Sequence, residues 1–105
     1  MGYESKFKSA DIDMLFKAIL LLEDEEDCYR FFEDICTINE LYSIAQRLQV
    51  AKLLSEKKTY TEIEELAKAS TATISRVNKC LVYGADGYRK ILARLEESDG
   101  TPECL

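Results

Sequence analysis

Residues 59–84 decide the fold: Thr59-Tyr60-Thr61-Glu62-Ile63-Glu64-Glu65-Leu66-Ala67, then Lys68-Ala69-Ser70, then Thr71-Ala72-Thr73-Ile74-Ser75-Arg76-Val77-Asn78-Lys79-Cys80-Leu81, with Gly84 just beyond. Thr59 followed by Glu62 forms a capping box, in which hydroxyl and carboxylate each accept from an otherwise unpaired amide; Thr61 and Glu64 are an alternative one residue pair later. The pattern predicts a short helix over roughly 60–68 that buries Ile63, Ala67 and Leu66. Ser70 is a good N-cap for the next helix, whose inward stripe is Ile74, Val77 and Leu81, and Gly84 ends it. Thr71, Ala72, Ser75, Arg76, Asn78 and Lys79 are left facing outward. Two short helices joined by a turn of two or three residues make a helix-turn-helix over about 60–83.

Upstream, Thr37 followed by Glu40 is another capping box, and Ile38, Leu41, Ile44, Ala45, Leu48, Ala51 and Leu54 hold the helical period long enough for a central beam. Lys57 and Lys58 suit the negative end of its dipole. Residues 11–23 place Ile12, Leu15, Phe16, Ile19, Leu20 and Leu22 on one stripe, with Ser9 or Asp11 as cap. A second segment opens at Asp24 or Glu25, repeats through Cys28, Phe31, Phe32 and Ile35, and closes at Cys36. Downstream, Asp86 caps a sixth helix carrying Tyr88, Ile91, Leu92 and Leu95. Nothing reads as a strand. The expectation is an all-α, six-helix domain over residues 1–97 with a flexible tail at 98–105, which contains the single proline, Pro102.

Composition narrows the function. The 105 residues include no His and four Gly, Gly2, Gly84, Gly87 and Gly100, which removes the commonest general base, the commonest transition-metal ligand and any glycine-rich phosphate loop. No catalytic residue, metal site or cofactor is expected. The acidic run Glu23-Asp24-Glu25-Glu26-Asp27 sits between two apolar segments, where it ends one helix and begins the next. Cys28, Cys36, Cys80 and Cys104 lack CxxC spacing, and Cys28 and Cys36, eight residues apart, read as small buried apolar side chains. The longest apolar stretch, Ala18 to Leu22, is too short to cross a membrane, and the N-terminus has no signal-peptide layout. A soluble protein of the reducing cytoplasm is expected.

The net charge of −6 argues against nucleic acid until it is divided along the chain. Residues 1–51 carry five basic and eleven acidic side chains, whereas residues 52–94 carry nine basic and five acidic. From Lys68 to Arg94 there are six cations, Lys68, Arg76, Lys79, Arg89, Lys90 and Arg94, against the single anion Asp86. A polyanion would dock there, because phosphate neutralisation by Lys and Arg is the main sequence-independent affinity term.

A recognition helix must press its first turns into a major groove about 12 Å wide. Small Thr71, Ala72 and Ser75 permit that approach, while Ser70 sits at the helix start and Lys68, Arg76 and Lys79 reach phosphates. Double-stranded DNA is therefore the expected partner. The alternative is a non-catalytic, dimeric helical module for protein interaction, whose tip would favour aromatic and Met anchors. A homodimer is expected in either case, because Phe16, Phe31, Phe32, Leu41, Ile44 and Leu48 supply more apolar surface than a chain of this length covers alone.

The stretch Ala69 to Leu81, preceded by Thr37-Ile38-Asn39-Glu40-Leu41 and Ala45-Gln46-Arg47-Leu48, resembles the Trp repressor superfamily, in its YerC/YecD-type Trp repressor-like branch, over about residues 10–96. The resemblance implies an intertwined homodimer in which helices one to three and six share a core and helices four and five form two DNA-reading heads, acting as a transcriptional repressor. It also implies a small-ligand site at Thr37, Arg47, Arg76 and Cys80, where the repressor holds tryptophan. Two departures bear on that ligand: Val77 stands where the repressor has a glycine that leaves space for the indole, and Cys80 where it has a serine. The expectation is that tryptophan does not bind and that any effector is another small molecule. Lys68 also replaces the glycine usual in the turn, which costs about 1 kcal/mol if the left-handed backbone is kept, or else implies a different turn.

Overall fold

The computed structural model describes residues 3–99. It contains six helices, α1 Ala10–Leu20, α2 Glu25–Ile35, α3 Ile38–Ser55, α4 Tyr60–Ala67, α5 Thr71–Tyr83 and α6 Gly87–Asp99, and no strand among the described residues. The chain divides into two compact units, Met1–Ile38 and Asn39–Leu105.

In the first unit each helix begins on a side-chain cap. The Ser9 hydroxyl accepts from the Ile12 amide at 3.1 Å, and α1 ends at Leu20, three residues short of the expected end. The cause is a tightened last turn: Leu21 and Leu22 donate to Ala18 and Ile19, three residues back, and the acidic run takes over at once. Asp24 accepts from the Asp27 amide at 2.8 Å while the Asp27 carboxylate accepts from the Glu23 amide at 3.0 Å, so the run does cap α2. Neither α1 nor α2 contains a buried residue. Cys28 is exposed and Cys36 half-buried, which corrects the expectation of two buried thiols; Cys104 lies outside the described residues.

The second unit has a dry centre. Val50 and Ala51 from α3, Ile63 and Ala67 from α4, Ala69 from the turn, and Ile74 and Val77 from α5 are all buried, with Leu53, Leu54, Leu81, Tyr88 and Leu92 packed against them. Leu66, expected inside, is 56% exposed, since Ile63 and Ala67 already define the inward side of so short a helix. Helix α3 ends on Lys57 at φ 67, with Lys57 donating to Leu54 and Lys58 to Leu53, the paired bonds of a left-handed C-terminal cap made without glycine. Gly84 ends α5 as expected, because a Cβ there would run into the carbonyl group of Cys80. Asp86, at φ 74, offers its carbonyl to Lys90 at the start of α6. That helix runs through Asp99, so Ser98 is helical rather than tail; after the first position, Gly87, no Gly or Pro interrupts the sequence before Gly100. The expected tail beyond it lies outside the described residues.

Candidate nucleic-acid interface

The interface is built on the junction of α4 and α5. The Thr59 hydroxyl accepts from the Glu62 amide at 3.2 Å and the Glu62 carboxylate accepts from the Thr59 amide at 2.8 Å, so the expected capping box is present. The Thr59 backbone bond is the main cause holding the Glu62 carboxyl below its ordinary pKa; desolvation opposes it, and the Thr59 hydroxyl and the Lys58 charge add smaller lowering effects. Lys68 closes α4 at φ 55, ψ 36. Of the two turn geometries open to a chain without glycine there, the left-handed one is kept, at a backbone cost of about 1 kcal/mol.

What holds the turn in that conformation comes from α3. Gln46, half-buried, donates from Nε2 to the carbonyls of Ala67 at 3.3 Å and Lys68 at 3.0 Å. These carbonyls end α4 and have no partner within the helix, so one amide group satisfies both. Nothing local in the sequence marks Gln46, because a pairing across 21 and 22 residues leaves no periodicity. Buried Ala69 lets the chain pass close to the core before Ser70, whose hydroxyl caps α5 by accepting from the Thr73 amide at 3.2 Å and donating to the Thr73 hydroxyl at 3.1 Å. Ser70 is thus engaged as the cap.

Helix α5 keeps Ile74 and Val77 in the core and Leu81 half-buried. Thr71, Ala72, Ser75, Arg76 and Lys79 are exposed, with Lys68 beside them in the turn; Asn78, expected outward, is half-buried. Ion pairs among the described residues involve Lys8, Arg30 and Lys52, so Lys68, Arg76 and Lys79 stand outside any of them, around a tip whose own residues are uncharged. The tip has one further bond: the Thr71 hydroxyl donates to the Glu64 carboxylate of α4.

Of the expected ligand residues, Arg47 of α3 and Cys80 of α5 both act on Tyr88 of α6. Burial is the main cause raising the Tyr88 pKa, the Cys80 thiol raises it further, and the Arg47 guanidinium opposes both. Arg76 is exposed on α5, and Thr37 belongs to the first unit. Val77 is only 2% exposed, so its branched side chain is a fixed part of the core.

The Trp repressor protein family matches residues 10–96. The chain belongs to the Trp repressor family. Its relatives there include the uncharacterized protein YerC of Bacillus subtilis (strain 168), 54% identical over 94 residues that cover 90% of each chain. Among solved structures, a TrpR-like protein from Eubacterium eligens ATCC 27750 is 54% identical, with a TM-score of 0.83 over 86% of this chain and 93% of its own. A candidate Trp repressor from Staphylococcus aureus is 53% identical, with a TM-score of 0.83 over 86% of this chain and 90% of its own. The Trp repressor family is one of regulators. Among the described residues no helix is long and apolar enough to cross a membrane.

Proposed function

We propose that the chain is a sequence-specific, DNA-binding transcriptional repressor that acts as a homodimer through the α4–α5 helix-turn-helix. One observation carries the reading: α5 presents Thr71, Ala72 and Ser75, small and uncharged, between the unpaired cations Lys68, Arg76 and Lys79. Groove entry needs small side chains at the tip and phosphate binding needs free cations beside it. A protein-interaction surface would place aromatic or Met anchors there, and the tip has none.

In this reading Arg76, Lys79 and Lys68 hold phosphates while Thr71, Ala72 and Ser75 face base edges and Ser70 fixes the start of the helix. Gln46 sets the angle of the reading helix by holding the turn. Two heads with three cations each give a salt dependence of log K on log salt of about −5. The protein meets its DNA in the cytoplasm. Arg47, Arg76 and Cys80 of the second unit are the residues available to a small anionic effector. Tryptophan is not that effector, because Val77 is packed where an indole slot would need space and buried aromatic surface is worth roughly 2 kcal/mol or more.

Selection of bound fragments from genomic DNA at defined salt tests the reading. A shared motif with dyad symmetry is the expected result, and Lys79→Ala should weaken all binding and flatten the salt slope by about 1 per head. Recovery of no enriched sequence at any salt would overturn it.

A further inference from the structure

The hydrogen bond across the top of the helix-turn-helix restricts what α5 can read. A hydroxyl has one proton and two lone pairs. Thr71 donates its hydroxyl hydrogen in the bond to the Glu64 carboxylate, so toward anything in front of α5 it offers lone pairs only. Glu64 is well suited to hold that bond, because a carboxylate accepts and does not donate and, among the described residues, no cation is paired with it. In the major groove the amines of adenine N6 and cytosine N4 are donors, whereas guanine O6 and N7 and thymine O4 are acceptors.

Resting on the proposed DNA reading, we infer that Glu64 makes Thr71 an obligate acceptor, so that the first residue of α5 selects adenine or cytosine at one base position and rejects guanine and thymine there. Glu64 is a specificity-determining residue that acts through Thr71. Ser75, one turn along the same exposed face, is the internal contrast: its hydroxyl has no partner among the described residues, so it rotates to donate or accept and tolerates either kind of base edge. Ser70 is committed to Thr73 as the helix cap, donating to its hydroxyl and accepting from its amide.

The test is selection from a randomised duplex library with the full chain as wild type, Glu64→Ala, Thr71→Val and Thr71→Ser. Glu64 and Thr71 are both exposed, and helical circular dichroism should be unchanged in every variant. Wild type should favour adenine or cytosine at one position by roughly fivefold. Glu64→Ala should erase that preference while tightening binding to all sequences, because a carboxylate leaves the phosphate-facing surface. Thr71→Val should erase it without the general tightening, and Thr71→Ser should keep it. If Glu64→Ala tightens binding to every sequence alike and leaves the base preference intact, Glu64 acts only as a charge and the inference is overturned. Absence of DNA binding by wild type itself would instead remove the DNA reading, and this inference with it.

Discussion

The two units of the chain use apolar residues to different ends. In the second, seven of the described residues are buried, and Val50, Ala51, Ile63 and Ile74 are at 0% exposure. In the first, α1 and α2 are amphipathic and well capped, yet Phe16 is 55% exposed and Leu20 83%. Full burial is therefore found from Asn39 onward, whereas the first unit half-buries residues such as Ile12, Leu15, Ile19, Phe31 and Phe32 and leaves the rest of its apolar stripe exposed. In the proposed homodimer this exposed stripe is the surface that a second copy would cover, since symmetry supplies a matching patch.

The largest expected effect tests that contrast at its exposed side. Full-length protein should sediment at about twice the chain mass at micromolar concentration, and Phe16→Asp with Leu20→Asp should reduce it to the chain mass or aggregate it, because two desolvated carboxylates cannot be accommodated in an apolar interface. A folded monomer in the wild type would remove the basis for the dimer and leave the first unit's apolar face without an account. The buried side comes next. Ile74→Ala should cost about 2–5 kcal/mol in urea unfolding, since it leaves a cavity among Ile63, Val50 and Val77. That penalty should be the same at low and high protein concentration if the second unit owns its core, whereas the loss in the Phe16 variant should shrink or grow with dilution.

The same contrast explains what could be read from sequence. Helix periods, the Thr59–Glu62 box and the Ser70 cap depend on residues three or four apart, and all of these were legible. The stripe of α3 was legible too, but not its partner: Ala51 is buried while Ile44 stays exposed in the same period. Periodicity identifies an apolar face and says nothing about what covers it. Gln46 on the Ala67 and Lys68 carbonyls, and Thr71 on Glu64, escaped because each joins residues brought together by the turn rather than by one helix. Cys28 differs from expectation for a related reason: helical spacing to Cys36 marks a shared face, and in a unit where neither α1 nor α2 has a fully buried residue that face does not mean burial.

A smaller effect separates stability from function within the second unit. Lys68→Gly removes the left-handed strain at φ 55 and should stabilise the protein by up to about 1 kcal/mol, less whatever glycine adds to the freedom of the unfolded chain. The same change deletes a cation from the reading head, so DNA affinity should fall and its salt slope flatten by about 1 per head. Thermal melting and DNA titration of one variant should therefore move in opposite directions. If both improve, Lys68 does not touch phosphate; if the melting temperature falls, the lysine stem contributes more than its backbone costs.

The smallest expected effect is an acid-side one at the start of the reading head. Glu62 has its carboxyl held below the ordinary value, chiefly by the Thr59 backbone bond, which exists only when α4 is folded. A carboxyl with a lower pKa in the folded than in the unfolded state contributes its stability in full above the unfolded value and loses it as pH falls through the folded one. Glu62→Gln can still accept from the Thr59 amide but cannot titrate, so its penalty should be present at pH 7 and should vanish as pH drops below the ordinary carboxylate range. Urea midpoints of wild type and variant, measured between pH 7 and pH 3, should converge on the acid side. The first unit has its own carboxylate caps at Asp24 and Asp27, which remain in both proteins and cancel in the difference. A gap that stays constant with pH would mean that the box is held by the shape of the side chain rather than by its charge, and that α4 begins as firmly in acid as at neutrality.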